Sequence, residues 1–231
     1  MNVAIVVAAG KGTRLGGNRP KQFVELDGVP IIIHTLRQFE RSREINEVVA
    51  VLPSEEVAGF HSLAQQFQLK KFARAVAGGA TRAQSVRSAL SSIREAEIMA
   101  VHDGVRPFVT PDEIDATVQA ARTNGAAILT AAVGDTIKEI EGHQVIRTLP
   151  RANLRRALTP QCFRYEILKR AYDQLNEVEA SGIELTDDSM LVERLGVEIV
   201  AVTGSARNIK ITSAEDLILA EAILKSVASG Q

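Results

Sequence analysis

Cysteine is almost absent from this chain of 231 residues, which contains only Cys162. A single cysteine excludes an internal disulfide and any zinc site built entirely from cysteines. Proteins without disulfides are typical of a reducing compartment, so we expect a cytoplasmic location. We interpret the side chain of Cys162 itself as a small buried apolar group.

The sequence also lacks an excess of charge of one sign and a long apolar run. It contains 27 Lys and Arg against 28 Asp and Glu, a formal net charge of −1. No block of basic residues stands out that could neutralise a nucleic-acid backbone, so we expect no nucleic-acid partner. No apolar run approaches the roughly 20 residues of a membrane helix, so we expect no membrane association. The run over residues 3–9 lacks a preceding basic region, and we interpret it as a buried strand rather than a signal peptide.

Apolar stretches of strand length alternate with segments of helical periodicity along most of the chain. This order predicts an α/β fold with a Rossmann-like, mostly parallel sheet and helices on both of its faces. Because no linker or repeat interrupts the pattern, we expect a single domain over residues 1–231. Thr110, Pro111 and Glu113 form a capping-box pattern at the start of one helix. The predicted strands cover residues 3–9, 48–52, 72–77, 98–101, 126–133 and 197–202.

Residues 136–149 interrupt this alternation. Two short stretches of strand-like residues flank a turn at residues 141–144, which predicts an antiparallel hairpin. We therefore expect a projecting β-arm at about residues 136–158. An isolated two-stranded ribbon is marginal in water, so the arm must pack against something. The pattern alone leaves two possibilities open: a second copy of the chain, or the arm's own domain with the hairpin folded back as a flap.

The loop after the first predicted strand, residues 8–17, is rich in glycine and basic residues. Loops at the carboxyl ends of parallel strands line the ligand crevice, and glycines let backbone N–H groups approach a phosphate. The loop matches neither a P-loop nor the dinucleotide fingerprint, since Leu15 stands where the fingerprint needs glycine. Arg14, Arg19 and Lys21 would repel one another without an anion between them, so this region predicts a triphosphate or pyrophosphate site.

A second candidate site follows the predicted strand 98–101, where His102 and Asp103 precede a turn. A carboxylate at this position could hold Mg²⁺, which needs only one or two protein acids when phosphates supply its other ligands. We interpret His102 as a hydrogen-bonded structural residue rather than a catalytic base, because the nucleophiles of phosphoryl-type transfer are already anionic.

Several motifs of this kind occur together along the chain. They are Ala8-Ala9-Gly10-Lys11-Gly12-Thr13-Arg14, Pro20-Lys21-Gln22, Gly78-Gly79 with Arg82 and Ser85, His102-Asp103 with Arg106-Pro107, Asp135-Thr136, Leu158-Thr159-Pro160-Gln161, Thr186-Asp187 and Asn208-Ile209-Lys210-Ile211-Thr212. The set resembles, from end to end, the 2-C-methyl-D-erythritol 4-phosphate cytidylyltransferase family. The first loop alone indicates only the wider nucleotidyltransferase superfamily, and the later motifs narrow the resemblance to the cytidylyl branch. This family transfers CMP from CTP to the phosphate of methylerythritol phosphate and releases pyrophosphate, a step of non-mevalonate isoprenoid biosynthesis.

The resemblance also implies roles for individual residues. Arg14 and Lys21 match the pair that stabilises the transition state, and Asp103 matches the Mg²⁺ contact. The arm of relatives reaches across a homodimer, which favours exchange over a flap in this chain. Residues implied in nucleotide binding are Ala8, Ala9, Gly10, Gly12, Thr13, Gly79, Arg82, Ser85, Asp103 and Lys210. Residues implied in binding the sugar phosphate are Arg106, Thr136, Arg151, Thr159 and Thr186.

One residue departs from the family pattern, and two alternative functions stay open. Some relatives carry Asp immediately before Asn-Ile-Lys, whereas this chain has Arg207, which leaves Asp103 as the only expected protein ligand of Mg²⁺. The first alternative is a cytidylyltransferase for another polyol phosphate, such as ribitol phosphate. The second is a catalytically silent nucleotide-binding protein, against which the joint presence of Arg14, Lys21 and Asp103 argues.

Overall fold

The structure is a computed structural model that describes residues 1–10 and 20–228. Its strands are β1 (Val3–Val7), β2 (Glu25–Leu26), β3 (Val29–Pro30), β4 (Glu47–Leu52), β5 (Phe72–Ala77), β6 (Ile98–Asp103), β7 (Ala126–Ala132), β8 (Lys138–Glu141), β9 (Gln144–Thr148), β10 (Arg155–Arg164) and β11 (Val200–Thr203). Its helices are α1 (Ile31–Arg41), α2 (Ser54–Gln66), α3 (Arg82–Ser91), α4 (Pro111–Asn124), α5 (Tyr165–Asp173), α6 (Leu175–Ala180), α7 (Ser189–Glu193) and α8 (Ala214–Ala228).

Seven strands form the central sheet in the order β11-β7-β10-β6-β1-β4-β5. Every neighbouring pair is parallel except the two that involve β10, which runs antiparallel to both β6 and β7. The central strands are almost continuously apolar because both faces of the sheet are covered. The predicted α/β class and mostly parallel sheet are confirmed.

Strand β10 is the part of the sheet that the sequence did not predict. Its first three residues are exposed and include two arginines, and Pro160 lies within it, so its pattern does not stand out as a buried strand. Residues 155–158, which the sequence placed in the arm, pair with β7 up to Ala157. The strand therefore leads directly from the arm into the middle of the sheet.

Helices pack on both faces of this sheet, as predicted. One apolar cluster holds the buried side chains of α1, α2 and α4, including Phe39 and Phe60. The other holds those of α3, α5, α6 and α7, including Val86 and Leu168. Cys162 is fully buried in the first cluster, which confirms its apolar role. No described helix combines the length and apolarity required to cross a membrane.

The predicted capping box at the start of α4 is present. The Thr110 hydroxyl accepts a hydrogen bond from the backbone N–H of Glu113 while the Glu113 carboxylate accepts one from the N–H of Thr110. Gly125 ends that helix with a φ of 94°, a conformation that favours glycine. Asp27 and Gly28, both at positive φ, form the tight turn of the small β2–β3 hairpin, which was not predicted although Asp-Gly is a turn signal.

The predicted arm forms a hairpin of β8 and β9, which pair with each other in a sheet of two strands. All residues of both strands are exposed, among them Ile140, Val145 and Ile146. The hairpin therefore packs on nothing within its own chain, among the parts that the structure describes.

Candidate active site

A cleft of about 460 Å³ opens where β1, β5 and β6 end. Parallel strands present their carboxyl ends at one edge, so the loops that follow them converge there. Two lysines reach it from outside the sheet: Lys21 in the short turn before β2, and Lys210 in the segment before α8. Of the residues implied in catalysis or nucleotide binding, the cleft is lined by Ala8, Ala9, Gly10, Lys21, Gly79, Arg82, Ser85, Asp103 and Lys210. Gly12, Thr13 and Arg14 lie outside the described residues.

Glycines allow the three strand ends to approach one another closely. A Cβ on Gly78 would lie 2.2 Å from the Cβ of Ala9 and 2.9 Å from the hydroxyl oxygen of Ser85. A Cβ on Gly104 would lie 2.8 Å from the Cβ of Ala8. Since real Cβ atoms do not come this close, any side chain at Gly78 or Gly104 would push these loops apart.

The turn between β5 and α3 is fixed by hydrogen bonds of Ser85. Its hydroxyl accepts from the backbone N–H of Gly79 at 3.1 Å and donates to the carbonyl of Thr81 at 2.9 Å. Thr81 in turn caps α3 by accepting from the N–H of Gln84. Ser85 therefore holds the backbone of Gly79 in a defined position at the wall of the cleft.

The carboxylate of Asp103 is surrounded by three cationic side chains. Arg82 Nε lies 3.1 Å from its Oδ1, while Arg106 Nε and Lys210 Nζ each lie 3.1 Å from its Oδ2. Burial would raise the pKa of Asp103, but the three cations hold it well below its usual range. Asp103 is therefore ionised, and the wall around it retains a surplus of positive charge.

His102 connects several segments behind this cluster. The ring is fully buried, with Nε2 3.1 Å from the carbonyl of Arg106 and Nδ1 3.0 Å from the hydroxyl of Thr159. Burial lowers the pKa of His102 to about 4, so the ring is neutral. A carbonyl can only accept, so Nε2 carries the proton and Nδ1 accepts from Thr159. This arrangement supports the structural role predicted for His102.

Arg82 has a second acidic partner that the sequence did not predict. Its Nη1 lies 2.8 Å from Oδ2 of Asp188, a fully buried residue at the start of α7. The hydroxyl of Tyr172 donates to the other carboxylate oxygen, and the backbone N–H of Asp188 donates to Oε1 of Gln161. The motif Thr186-Asp187 stops one residue short of Asp188, and nothing local in the sequence relates Asp188 to α3.

The residues implied in binding the sugar phosphate divide into two groups. Arg106 pairs with the Asp103 carboxylate, and the Thr159 hydroxyl accepts from the Asp103 backbone N–H at 3.2 Å. These two lie behind Asp103 and are not among the residues that line the cleft. The other three are exposed and do not line it either: Thr136 and Arg151 lie on the arm, and Thr186 precedes α7.

Two further residues complete the description of the site. Gln22 was not assigned a role, yet it is 1% exposed and lines the cleft, and neither amide atom pairs with a described residue. Its position beside Lys21 was the only available signal.

Arg207 is exposed, and its backbone N–H donates to the Ser205 hydroxyl.

The chain is similar to a known family and to curated proteins along almost its whole length. The family profile described as 2-C-methyl-D-erythritol 4-phosphate cytidylyltransferase (IspD) matches residues 2–226. The protein of that name from Bacillus velezensis is 43% identical over 225 residues, 97% of this chain and 96% of the relative. Its counterpart from Alkaliphilus metalliredigens is 43% identical over 98% of this chain and 94% of the relative.

Solved structures give the same result. A 4-diphosphocytidyl-2C-methyl-D-erythritol synthase from Anaerococcus prevotii superposes with a TM-score of 0.83 at 31% identity, covering 97% of this chain and 96% of that chain. The 2-C-methyl-D-erythritol 4-phosphate cytidylyltransferase of Thermus thermophilus gives a TM-score of 0.76 at 32% identity, covering 96% and 98%. The resemblance inferred from the motifs is thus confirmed, and the chain belongs to the 2-C-methyl-D-erythritol 4-phosphate cytidylyltransferase family.

Proposed function

We propose that the cleft binds CTP and that the enzyme transfers CMP to the phosphate of 2-C-methyl-D-erythritol 4-phosphate, releasing pyrophosphate. The observation that carries this assignment to the cleft is the group of cations at the carboxyl edge of the sheet. Arg82, Arg106 and Lys210 surround the Asp103 carboxylate, Arg82 also pairs with Asp188, and Lys21 lines the same cleft. A polyphosphate is the ligand that such a surplus of positive charge favours.

The backbone around the cleft suits a triphosphate and a base. Gly10 and Gly79 line it without side chains, so a ligand can approach their main-chain atoms. We assign the cytosine pocket to Gly79, Arg82 and Ser85, since the hydrogen bonds of Ser85 fix the Gly79 backbone there. Gly12 and Thr13 would add backbone donors to the triphosphate.

In this proposal the reaction is accelerated by neutralising negative charge. The acceptor phosphate attacks the α-phosphorus of CTP, and negative charge accumulates on the phosphate oxygens before pyrophosphate leaves. Lys21 and Arg14 stabilise that charge, and Lys210 contacts the phosphates. Reactions of this kind need positioned cations more than covalent participation of the protein. Each preorganised donor of this type contributes about 3 kcal/mol to transition-state stabilisation.

We include a divalent cation, Mg²⁺, as the cofactor in this proposal. Within the described chain no cluster of three or more His, Cys, Asp or Glu could hold a metal, and Asp103 is the one acid there that lines the cleft. Both of its oxygens already face cations, so the residues fit Mg²⁺ only with a triphosphate, which supplies oxygens for Mg²⁺ and alternative partners for the cations. When bound, the ion would neutralise further phosphate charge.

We propose that the arm makes the enzyme a homodimer and that it brings Thr136 and Arg151 to the partner's sugar-phosphate site, beside Arg106, Thr159 and Thr186. The complete exposure of β8 and β9 supports exchange over a flap folded on its own chain. Ile140 is 63% exposed and Val145 is 62% exposed, and the two lie directly opposite each other. Such a pair is an apolar surface that a second copy would cover.

A cytoplasmic location and a single domain over residues 1–231 complete the proposal. Cys162 is buried and unpaired, and burial raises the pKa of its thiol, so it is an unreactive side chain. Because the one cysteine of the chain forms no disulfide, the fold does not depend on the oxidising conditions that disulfides require.

The decisive experiment measures pyrophosphate release from CTP and Mg²⁺ with a panel of polyol phosphates. We expect release with methylerythritol phosphate and little with ribitol phosphate. A preference for ribitol phosphate would replace the acceptor, and CTP binding without release on any acceptor would favour the silent nucleotide-binding protein. UTP in place of CTP tests the cytosine pocket in the same assay.

A further inference from the structure

We propose that Asp188 is a positioning residue for nucleotide binding, which acts by fixing the guanidinium of Arg82. The inference rests on the proposed role of Arg82 in holding the nucleotide. Arg82 is the first residue of α3, and its side chain is 24% exposed in the wall of the cleft. Asp188 does not line the cleft and is fully buried behind it.

Two carboxylates from different parts of the chain hold Arg82. Oδ1 of Asp103, at the end of β6, lies 3.1 Å from Nε of Arg82. Oδ2 of Asp188, before α7, lies 2.8 Å from Nη1 of Arg82. A planar guanidinium that is held at two of its nitrogens has a fixed orientation as well as a fixed position. These contacts use Nε and Nη1, and the side chain is still 24% exposed in the wall of the cleft, so a ligand there can reach the guanidinium.

Asp188 is itself held on two sides. The Tyr172 hydroxyl donates to Oδ1, and burial together with the Asp188 charge raises the pKa of Tyr172 well above its usual value, so the phenol remains a donor. The backbone N–H groups of Asp188 and Ser189 both donate to Oε1 of Gln161 on β10, each at 3.0 Å. The carboxylate therefore reaches Arg82 from a rigid support.

The charges explain why one acid does not suffice. Asp103 also pairs with Arg106 and Lys210, and it contacts Arg82 through Oδ1 and Nε alone, a single contact that does not fix the plane of the guanidinium. Asp188 gives Arg82 an acid of its own. Ordering a long side chain at a binding site costs conformational entropy, and Asp188 meets this cost before the nucleotide arrives.

A double-mutant cycle on CTP binding tests the proposal. Isothermal titration of CTP with Mg²⁺ would compare the wild-type enzyme with Asp188→Asn, Arg82→Lys and the double variant. We expect Asp188→Asn to weaken CTP binding by about tenfold in the folded enzyme, and to have little further effect once Arg82 is replaced. An unchanged dissociation constant, or an equal loss in both backgrounds, would overturn the proposal, since a merely structural role lowers the melting temperature without this coupling.

Tyr172→Phe provides a second test if Asp188→Asn fails to fold. It removes the hydroxyl that holds Asp188 and leaves the Arg82–Asp188 ion pair. We expect CTP to bind about two- to fivefold more weakly, and unchanged binding by a folded Tyr172→Phe would contradict the proposal. If the wild-type enzyme itself does not bind CTP, the failure lies with the proposed function instead.

Discussion

The hydroxyl of Thr159 joins the backbone of Asp103 to the ring of His102. It accepts from the Asp103 N–H at 3.2 Å and donates to Nδ1 of His102 at 3.0 Å. Asn208 adds a hydrogen bond from its side chain to the Thr159 carbonyl at 2.9 Å. One residue of β10 thereby fixes the end of β6 and the segment that carries Lys210, so the cations around Asp103 depend on it.

Replacing Thr159 by Val should destabilise the protein, because the buried Asp103 N–H and the His102 ring nitrogen would each lose a partner. We expect the free energy of unfolding to fall by about 1–3 kcal/mol, measured by urea denaturation. Thr159→Ser keeps the hydroxyl and is the matched control. Equal losses in both variants would show that the methyl group, rather than the hydroxyl, is responsible.

The neutral ring of His102 should make stability depend on pH. Burial lowers its pKa to about 4 despite the neighbouring Asp103 carboxylate, which raises it, while Arg106 and Arg82 lower it further. The unfolded chain, with a pKa near 6.5, binds a proton that the folded chain does not. The contribution of the neutral His102 ring to the free energy of unfolding is therefore complete above about pH 6.5. Below that pH the contribution falls, with a limiting slope of about 1.4 kcal/mol per pH unit.

Urea unfolding at pH 7, 6 and 5 would test this dependence against His102→Asn. The variant should show a shallower decline because it lacks the His102 ring. Burial also lowers the pKa of His34, which is common to both proteins, so some decline remains in each. Asp103 titrates below this window. Parallel declines in the two proteins would show that folding does not lower the pKa of His102.

The close approach at Gly78 predicts a cost for the smallest side chain. Gly78→Ala would bring a Cβ against Ala9 and Ser85, so we expect a loss of stability of about 1–3 kcal/mol and weaker CTP binding. Gly59, in the exposed part of α2, has nothing within 4 Å of an added Cβ. Gly59→Ala should be neutral or stabilising by up to about 1 kcal/mol. Melting temperatures of the two variants should therefore move in opposite directions or differ clearly.

The arm should control the oligomeric state. Replacing Ile140 and Val145 together by Thr removes the exposed apolar pair and keeps β-branched residues in the hairpin. We expect a shift from dimer to monomer by light scattering, with an unchanged melting temperature in the monomer because the pair supports nothing in its own chain. Ile218→Thr, at a site 70% exposed on α8, is the control and should leave the mass unchanged. A variant that remains fully dimeric would place the interface elsewhere.

Mixing two inactive variants tests whether subunits share a site. Lys21→Ala and Arg151→Ala should each lower the turnover number by about a hundredfold without unfolding, whereas Lys70→Ala on the surface should not. A mixed dimer has one site with both residues intact if Arg151 serves the partner's site. Partial recovery on mixing supports exchange, and no recovery under conditions that exchange subunits would indicate that Arg151 serves its own chain.

The sequence predicted those features that depend on local pattern. Apolar runs such as Val3–Val7 and the capping box at Thr110 need no distant partner to be recognised. The glycines and lysines of the cleft also stand in short motifs. Strand β10 was missed because it begins with two exposed arginines and contains Pro160, so its sequence does not have the pattern of a buried strand. The Arg82–Asp188 ion pair was missed because it joins residues that only the packing of α7 against α5 brings together with α3.

The direct passage from the arm into β10 limits how the chain can change in length. Residues added at the exposed turn between β8 and β9 would lengthen the hairpin and disturb nothing else. A single residue added after Asn153 and taken up by β10 would shift its register against β6 and turn alternate side chains to the other face. Thr159 and Gln161 would then leave the site together, so descendants of this sequence can vary at the tip of the arm but not at its base.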